Sequence, residues 1–302
     1  MSESQNTGNP LQQAVALHQQ GQLAAAETLY RAVLERNPGE LNALHLLGVL
    51  RQQQGRADEA VTLLARVLAA APGIAVVYSN YGNALKDLGR FDEAADSYRR
   101  ALAIDPGFAD ARYNLGRLLK DRGKFAEAAD CFEMVLAGET GSAELHNDLG
   151  LVLQELGRLD DAVVQYRAAL ARAPDQAVLH CNLGWALLGT GDLVAAEASL
   201  RKALSLQPGL PQAALGLGDV YRALDRLDDA VALYRQALPG ARGDAVLRNN
   251  LGTTLLRLDQ VEAAAATLGE AGGAAARSGG SADQLRQRLE PARPASGGAG
   301  RV

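Results

Sequence analysis

The chain has little of what a globular enzyme uses to fill its interior. Aromatic residues make up only 4% of its 302 positions, with a single Trp. Large rings therefore cannot build the core. With 48% hydrophobic content and abundant Ala and Gly, the interior must form by close approach of small side chains. The two cysteines, Cys131 and Cys181, lie far apart in sequence. They read as buried or half-buried thiols rather than a disulfide, with a reducing cytoplasm as the default location. Neither sign of charge dominates: 30 Lys and Arg stand against 35 Asp and Glu, a net charge of −5. The cations are spread along the chain, which excludes the basic footprint of a nucleic-acid binder. No apolar run approaches the ~18 residues of a membrane span, so no membrane insertion is expected. The polar start, Met1 to Pro10, lacks the charged-then-apolar order of a signal peptide.

Catalytic signatures are missing as well. There is no G-x-S-x-G, no phosphate-binding loop and no dinucleotide fingerprint. His18, His45, His146 and His180 do not cluster. His180 and Cys181 are adjacent, so on a helix their side chains diverge and cannot share a metal. The acidic pairs Asp160-Asp161 and Asp228-Asp229 stand at expected helix starts, where interaction with the helix dipole suffices. The chain reads as a non-enzyme without metal or cofactor.

What is present is a period. Gly48, Gly82, Gly116, Gly150, Gly184, Gly218 and Gly252 follow one another at 34 residues. So do Ala26, Ala60, Ala94, Ala128, Ala162, Ala196, Ala230 and Ala264. A fixed period of this length means a stacked array in which each unit buries its apolar face against its neighbours.

Residues 75–108 illustrate one unit. Tyr78, Tyr81, Leu85 and Leu88 recur at helical spacing and predict a first helix from about Val76 to Leu88. Gly89 follows, where a left-handed C-cap is wanted. Asp92 and Glu93 open a second helix, with Ala94, Tyr98, Ala101 and Leu102 as its stripe, and Pro106 ends it. Gly82 and Ala94 are small where the helices should cross, and Tyr98 fills the space between units. The large residue recurs as Tyr30, Leu64, Phe132, Tyr166, Leu200, Tyr234 and Leu268.

The pattern L-G-x6-G-x4-A-x3-Y/F-x2-A-L-x3-P resembles the tetratricopeptide repeat family. The resemblance implies an all-α, right-handed superhelical solenoid of about eight helical hairpins. The units would span 7–40, 41–74, 75–108, 109–142, 143–176, 177–210, 211–244 and 245–278. Residues 281–290, with Leu285 and Leu289 in register and Ser281 as N-cap, read as a C-terminal capping helix. Residues 1–6 and 291–302 read as disordered. The Ala-, Gly- and Arg-rich usage points to a bacterium.

The resemblance also implies that the first helix of each unit lines an inner groove. Its sixth position reads Gln12, Leu46, Asn80, Asn114, Asp148, Asn182, Gly216 and Asn250. A carboxamide offers both donor and acceptor, so such a row can pair with the backbone of an extended peptide with little dependence on sequence. In this the row is similar to the repeat region of O-GlcNAc transferases. Asn83, Tyr113, Arg117, Lys120 and Asn147 add polar and aromatic groups, while unit six turns apolar at Val178, Cys181, Trp185 and Leu188. The alternative for each Asn is to solvate its helix or bond a neighbouring loop, and for Trp185 to pack under a neighbouring side chain. A carboxylate clamp for chaperone tails is disfavoured, because Glu144 and Asp148 stand where cations are required. The leading reading is a scaffold that binds an extended segment of a protein partner. The alternatives are a recognition component for a separate O-GlcNAc-type glycosyltransferase and a self-assembling homo-oligomer. Specificity is expected at Trp185 and where the row breaks, at Leu46, Asp148 and Gly216.

Overall fold

The computed structural model describes residues 9–138, 141–238 and 245–271. The expected capping helix at 281–290 and both expected tails lie outside them. The described residues form sixteen α-helices and no strand. It forms two compact units, residues 1–141 and 142–302. Unit 1 holds α1 (Pro10–Gln19), α2 (Leu23–Arg36), α3 (Leu41–Gln53), α4 (Ala57–Ala70), α5 (Ala75–Asp87), α6 (Phe91–Ile104), α7 (Ala109–Asp121) and α8 (Phe125–Gly138). Unit 2 holds α9 (Ala143–Glu155), α10 (Leu159–Arg172), α11 (Ala177–Thr190), α12 (Leu193–Leu206), α13 (Pro211–Ala223), α14 (Leu227–Ala237), α15 (Ala245–Arg257) and α16 (Val261–Ala271).

The punctuation follows the sequence. Each hairpin turn requires a left-handed residue, supplied by glycine as at Gly89 (φ 72°). In the last two hairpins Asp225 (φ 56°) and Asp259 (φ 60°) take the same conformation, which Asp tolerates better than most side chains. Asp92 and Glu93 lie in the first turn of α6, which stops at Ile104, just before Pro106.

The hairpins close on a knob and a seat. Tyr98 is fully buried, and its ring lies so close to Gly82 that an added Cβ would come within 2.7 Å. Tyr166 over Gly150 and Phe132 over Gly116 repeat the arrangement. All eight periodic alanines from Ala26 to Ala264 are fully buried. Overpacking such a seat costs about 1–3 kcal/mol, which explains why these positions stay small.

Within each unit each hairpin touches the next. Within each unit an odd-numbered helix also touches the following odd-numbered helix, whereas no two even-numbered helices touch. The odd helices therefore converge and the even helices splay, so each unit curves with its odd helices on the inner side. No described helix is long and apolar enough to cross a membrane.

Candidate functional site

The inner faces carry polar side chains that bond from one odd helix to the next, with a constant offset. In unit 1, His18 Nε2 meets Gln53 Oε1 at 2.9 Å, Gln52 Nε2 donates to Asp87 Oδ2 at 2.9 Å, and Asn80 Nδ2 donates to His45 Nε2 at 2.8 Å. In unit 2, Asn182 Nδ2 donates to Asn147 Oδ1 at 2.9 Å, and Arg257 Nη1 donates to the Arg222 carbonyl at 3.3 Å. Every one of these pairs is separated by 35 residues. Successive inner helices thus meet at one period plus one residue. The bond into His45 is consistent with its electrostatics: burial pushes the imidazole pKa down, which favours the neutral ring with a lone pair to accept.

A second set of bonds runs from the knobs to the inner helices. Tyr98 Oη donates to Asn83 Oδ1 at 2.7 Å, Tyr166 Oη to Gln154 Oε1 at 3.2 Å, and Tyr234 Oη to Asp219 Oδ1 at 3.1 Å. Burial raises the pKa of all three phenols, so each remains a donor. A buried hydroxyl needs a partner, and where the knob is Leu64, Phe132 or Leu200 none is required. The Asn83 carbonyl is thereby taken up internally.

Three members of the expected row, Asn80, Asn182 and Asn250, are bonded across helices rather than to loops. Asn80 and Asn182 are half-buried and fixed by the preceding inner helix. Asn114 is half-buried on α7, beside Tyr113, whose ring packs on Phe132 (centroids 5.7 Å apart) and under the Arg117 guanidinium (5.8 Å). Arg117 is exposed and Lys120 half-buried on the same helix. Asn250 has Leu215 at its offset of 35, which offers no partner, and reaches one turn further to Asp219 Oδ1 at 3.3 Å.

Trp185 and two breaks in the row are engaged by the fold. Trp185 is half-buried, its Nε1 donates to the Gln212 carbonyl at 3.0 Å, and a Cβ on Gly216 would lie 3.0 Å from the indole. The indole thus lies across α13, and Gly216 is the seat that admits it rather than an open reading position. Asp148 is buried. Cys181 is buried too, and burial pushes its thiol up to about 11, so it does not line the groove. Both cysteines are free thiols, Cys131 half-buried.

Sequence reasoning missed His45 and Asp219 as members of the inner face. Asp219 Oδ1 accepts from Arg222, Tyr234 and Asn250. The signal that could have found His45 is the offset of 35, which pairs a polar residue with a predecessor one place off the visible period, whereas Asp219 lies 31 residues before Asn250 and off that offset.

Family models described as tetratricopeptide repeat match residues 11–32, 39–107, 85–149, 147–211 and 181–245. Among solved structures, YrrB, a repeat protein with an unusual peptide-binding site, superposes with a TM-score of 0.55 at 23% identity, over 61% of this chain and 94% of its own. A tetratricopeptide repeat protein from Parabacteroides merdae gives 0.56 at 18% identity, over 82% and 97%. A MamA segment from Desulfovibrio magneticus gives 0.54 at 22% identity, over 56% and 96%. No curated protein matches the sequence significantly.

Proposed function

The chain belongs to the tetratricopeptide repeat family, whose members are protein-interaction scaffolds, and from that premise we propose that it is a non-catalytic scaffold whose inner helical faces hold an extended segment of a partner protein. The observation that carries this reading is the anchored carboxamide. Asn80 and Asn182 each spend one amide hydrogen on the preceding inner helix. The other amide hydrogen and Oδ1 are left to pair with a peptide group. The anchor also fixes the side chain in advance, so less conformational entropy is lost on binding. Asn250, which donates to Asp219, extends the same chemistry in unit 2, and Asn114 adds a carboxamide on α7 in unit 1. Trp185 adds apolar surface on α11 beside Val178, which is exposed. YrrB, with its peptide-binding site, supports the reading by analogy of fold.

Binding through backbone amides has a distinct signature. On an array of short extended peptides of varied sequence, Asn80→Ala with Asn114→Ala should weaken many unrelated peptides together, by about tenfold, as expected for one or two lost hydrogen bonds. Asn182→Ala should do the same to any peptides held by unit 2. An array pattern identical to wild type in both variants would move the binding site off the inner faces.

A further inference from the structure

The peptide-holding reading leaves open which side chain a bound segment must carry, and unit 1 contains a feature that answers this. Between α1 and α3 the inner face opens a cavity of about 350 Å³, lined by Leu11, Gln12, Val15, Asn42, His45 and Leu46. Its apolar lining is anchored in the core. Leu11, Val15 and Leu46 pack against a buried cluster that includes Ala14, Tyr30, Leu47 and Leu50. None of the lining residues is an acid, a lysine or an arginine. The one titratable member, His45, accepts a hydrogen bond from Asn80 and does so as a neutral ring. Gln12 and Asn42 are exposed and contribute carboxamides to the same lining.

These features fit together chemically. An uncharged aliphatic cavity rewards an apolar side chain at about 25 cal/mol per Å² removed from water. It penalises an ion placed among Leu11, Val15 and Leu46, which would lose its hydration there. The volume is that of a small ligand pocket, enough for a Leu, Met or Phe side chain. The carboxamides Gln12 and Asn42 suit the peptide groups on either side of such a residue. Leu46 occupies the place that carries Asn in the neighbouring unit, so at this point the face exchanges a backbone-reading group for a side-chain-reading one.

Resting on the proposed function, we infer that this cavity receives one large apolar side chain of an extended partner segment, and rejects Lys, Arg, Asp and Glu at that place. The test uses the full chain and a set of extended Ser/Thr host peptides, each with one central guest residue. Leu, Met and Phe guests should bind about tenfold or more tighter than Lys or Glu guests. Gln12→Trp places an indole at the cavity from an exposed position. It should abolish that preference, so that Leu-guest and Lys-guest peptides bind equally. Val15→Trp, which fills the cavity from within, should do the same, with helicity and melting checked to show that each variant folds. Equal binding of Leu and Lys guests, or a preference that survives both variants, overturns the inference while leaving the proposed function standing. Failure of every guest peptide to bind overturns both. Concentration-dependent dimerisation that Gln12→Trp abolishes would make a second copy the occupant, and also overturns it.

Discussion

Two joints, one in each unit, solve the same problem with different chemistry. Glu27 on α2 and Glu197 on α12 occupy the same place in the period, where other repeats carry Val or Ala such as Val61 and Ala95. The facing place on the next inner helix, usually Leu as at Leu85, is Arg51 in unit 1 and Tyr221 in unit 2. Arg51 is 1% exposed and binds Glu27 through two bonds of 2.6 and 2.7 Å, with Nε 3.0 Å from Glu59. In unit 2 the cation comes instead from the hairpin turn. Arg226, 39% exposed, stands 3.0 Å from Glu197 and 2.7 Å from Asp229, with its guanidinium 4.3 Å from the centre of the Tyr221 ring. Tyr221 keeps the apolar body at the joint and leaves the charges to the surface. A substitution therefore costs according to burial, even where the same acid opens the joint. A buried ion pair deprived of one partner is expensive, and an exposed pair is worth little.

The largest effect is expected at Glu27. Glu27→Ala leaves a buried guanidinium without its two-bond partner and should cost about 3–5 kcal/mol. Amide hydrogen exchange reads this as lost protection in α2 and α3. The paired change Glu27→Val with Arg51→Leu, which copies the other joints, should instead leave stability unchanged or raise it by about 1 kcal/mol or more. If the pair were as costly as the single change, shape rather than charge would hold the joint. Acid gives a third expectation. Hydrogen bonding to Arg51, then to Gln54, with the charges of Arg51 and Arg31, holds the Glu27 carboxyl near about 2 instead of 4.5. The folded value lies below the unfolded one, so this stabilisation is complete above pH 4.5 and is lost as pH falls toward 2. Protection of α2 and α3 should decline over that window in the wild type, and the Glu27→Val, Arg51→Leu pair should lack that component. The smallest effect belongs to unit 2. Arg226→Ala should cost about 1 kcal/mol or less, measured by urea unfolding with the fluorescence of Trp185, which sits in that unit.

Much of the architecture was legible beforehand because it depends on local spacing. The helix start near Val76, the stop before Pro106 and the left-handed turn at Gly89 each follow from residues within a few positions of one another. The small seat at Gly82 was legible from its repetition. The candidate site was legible only as a row. Asn80, Asn114, Asn182 and Asn250 could be placed on one face, but not their partners. Nothing near Asn83 in sequence announces that Tyr98 takes its carbonyl, although both residues stood in plain view. Gly216 looked like a gap in the row, and only the path of the Trp185 indole across α13 turns it into a seat.

The period, the hairpins, their caps and the alternation of large and small residues between helices are all readable from residue spacing. These are consequences of helical geometry and excluded volume, and they act over one turn or one hairpin. It takes the packed array to show that inner helices meet at 35 residues rather than 34, that His45 anchors Asn80, and that Leu11, Val15 and Leu46 border a cavity. Those facts depend on how far each hairpin shifts against the one before it. That shift is a rigid-body outcome of packing summed over the whole contact, and no short stretch of sequence records it.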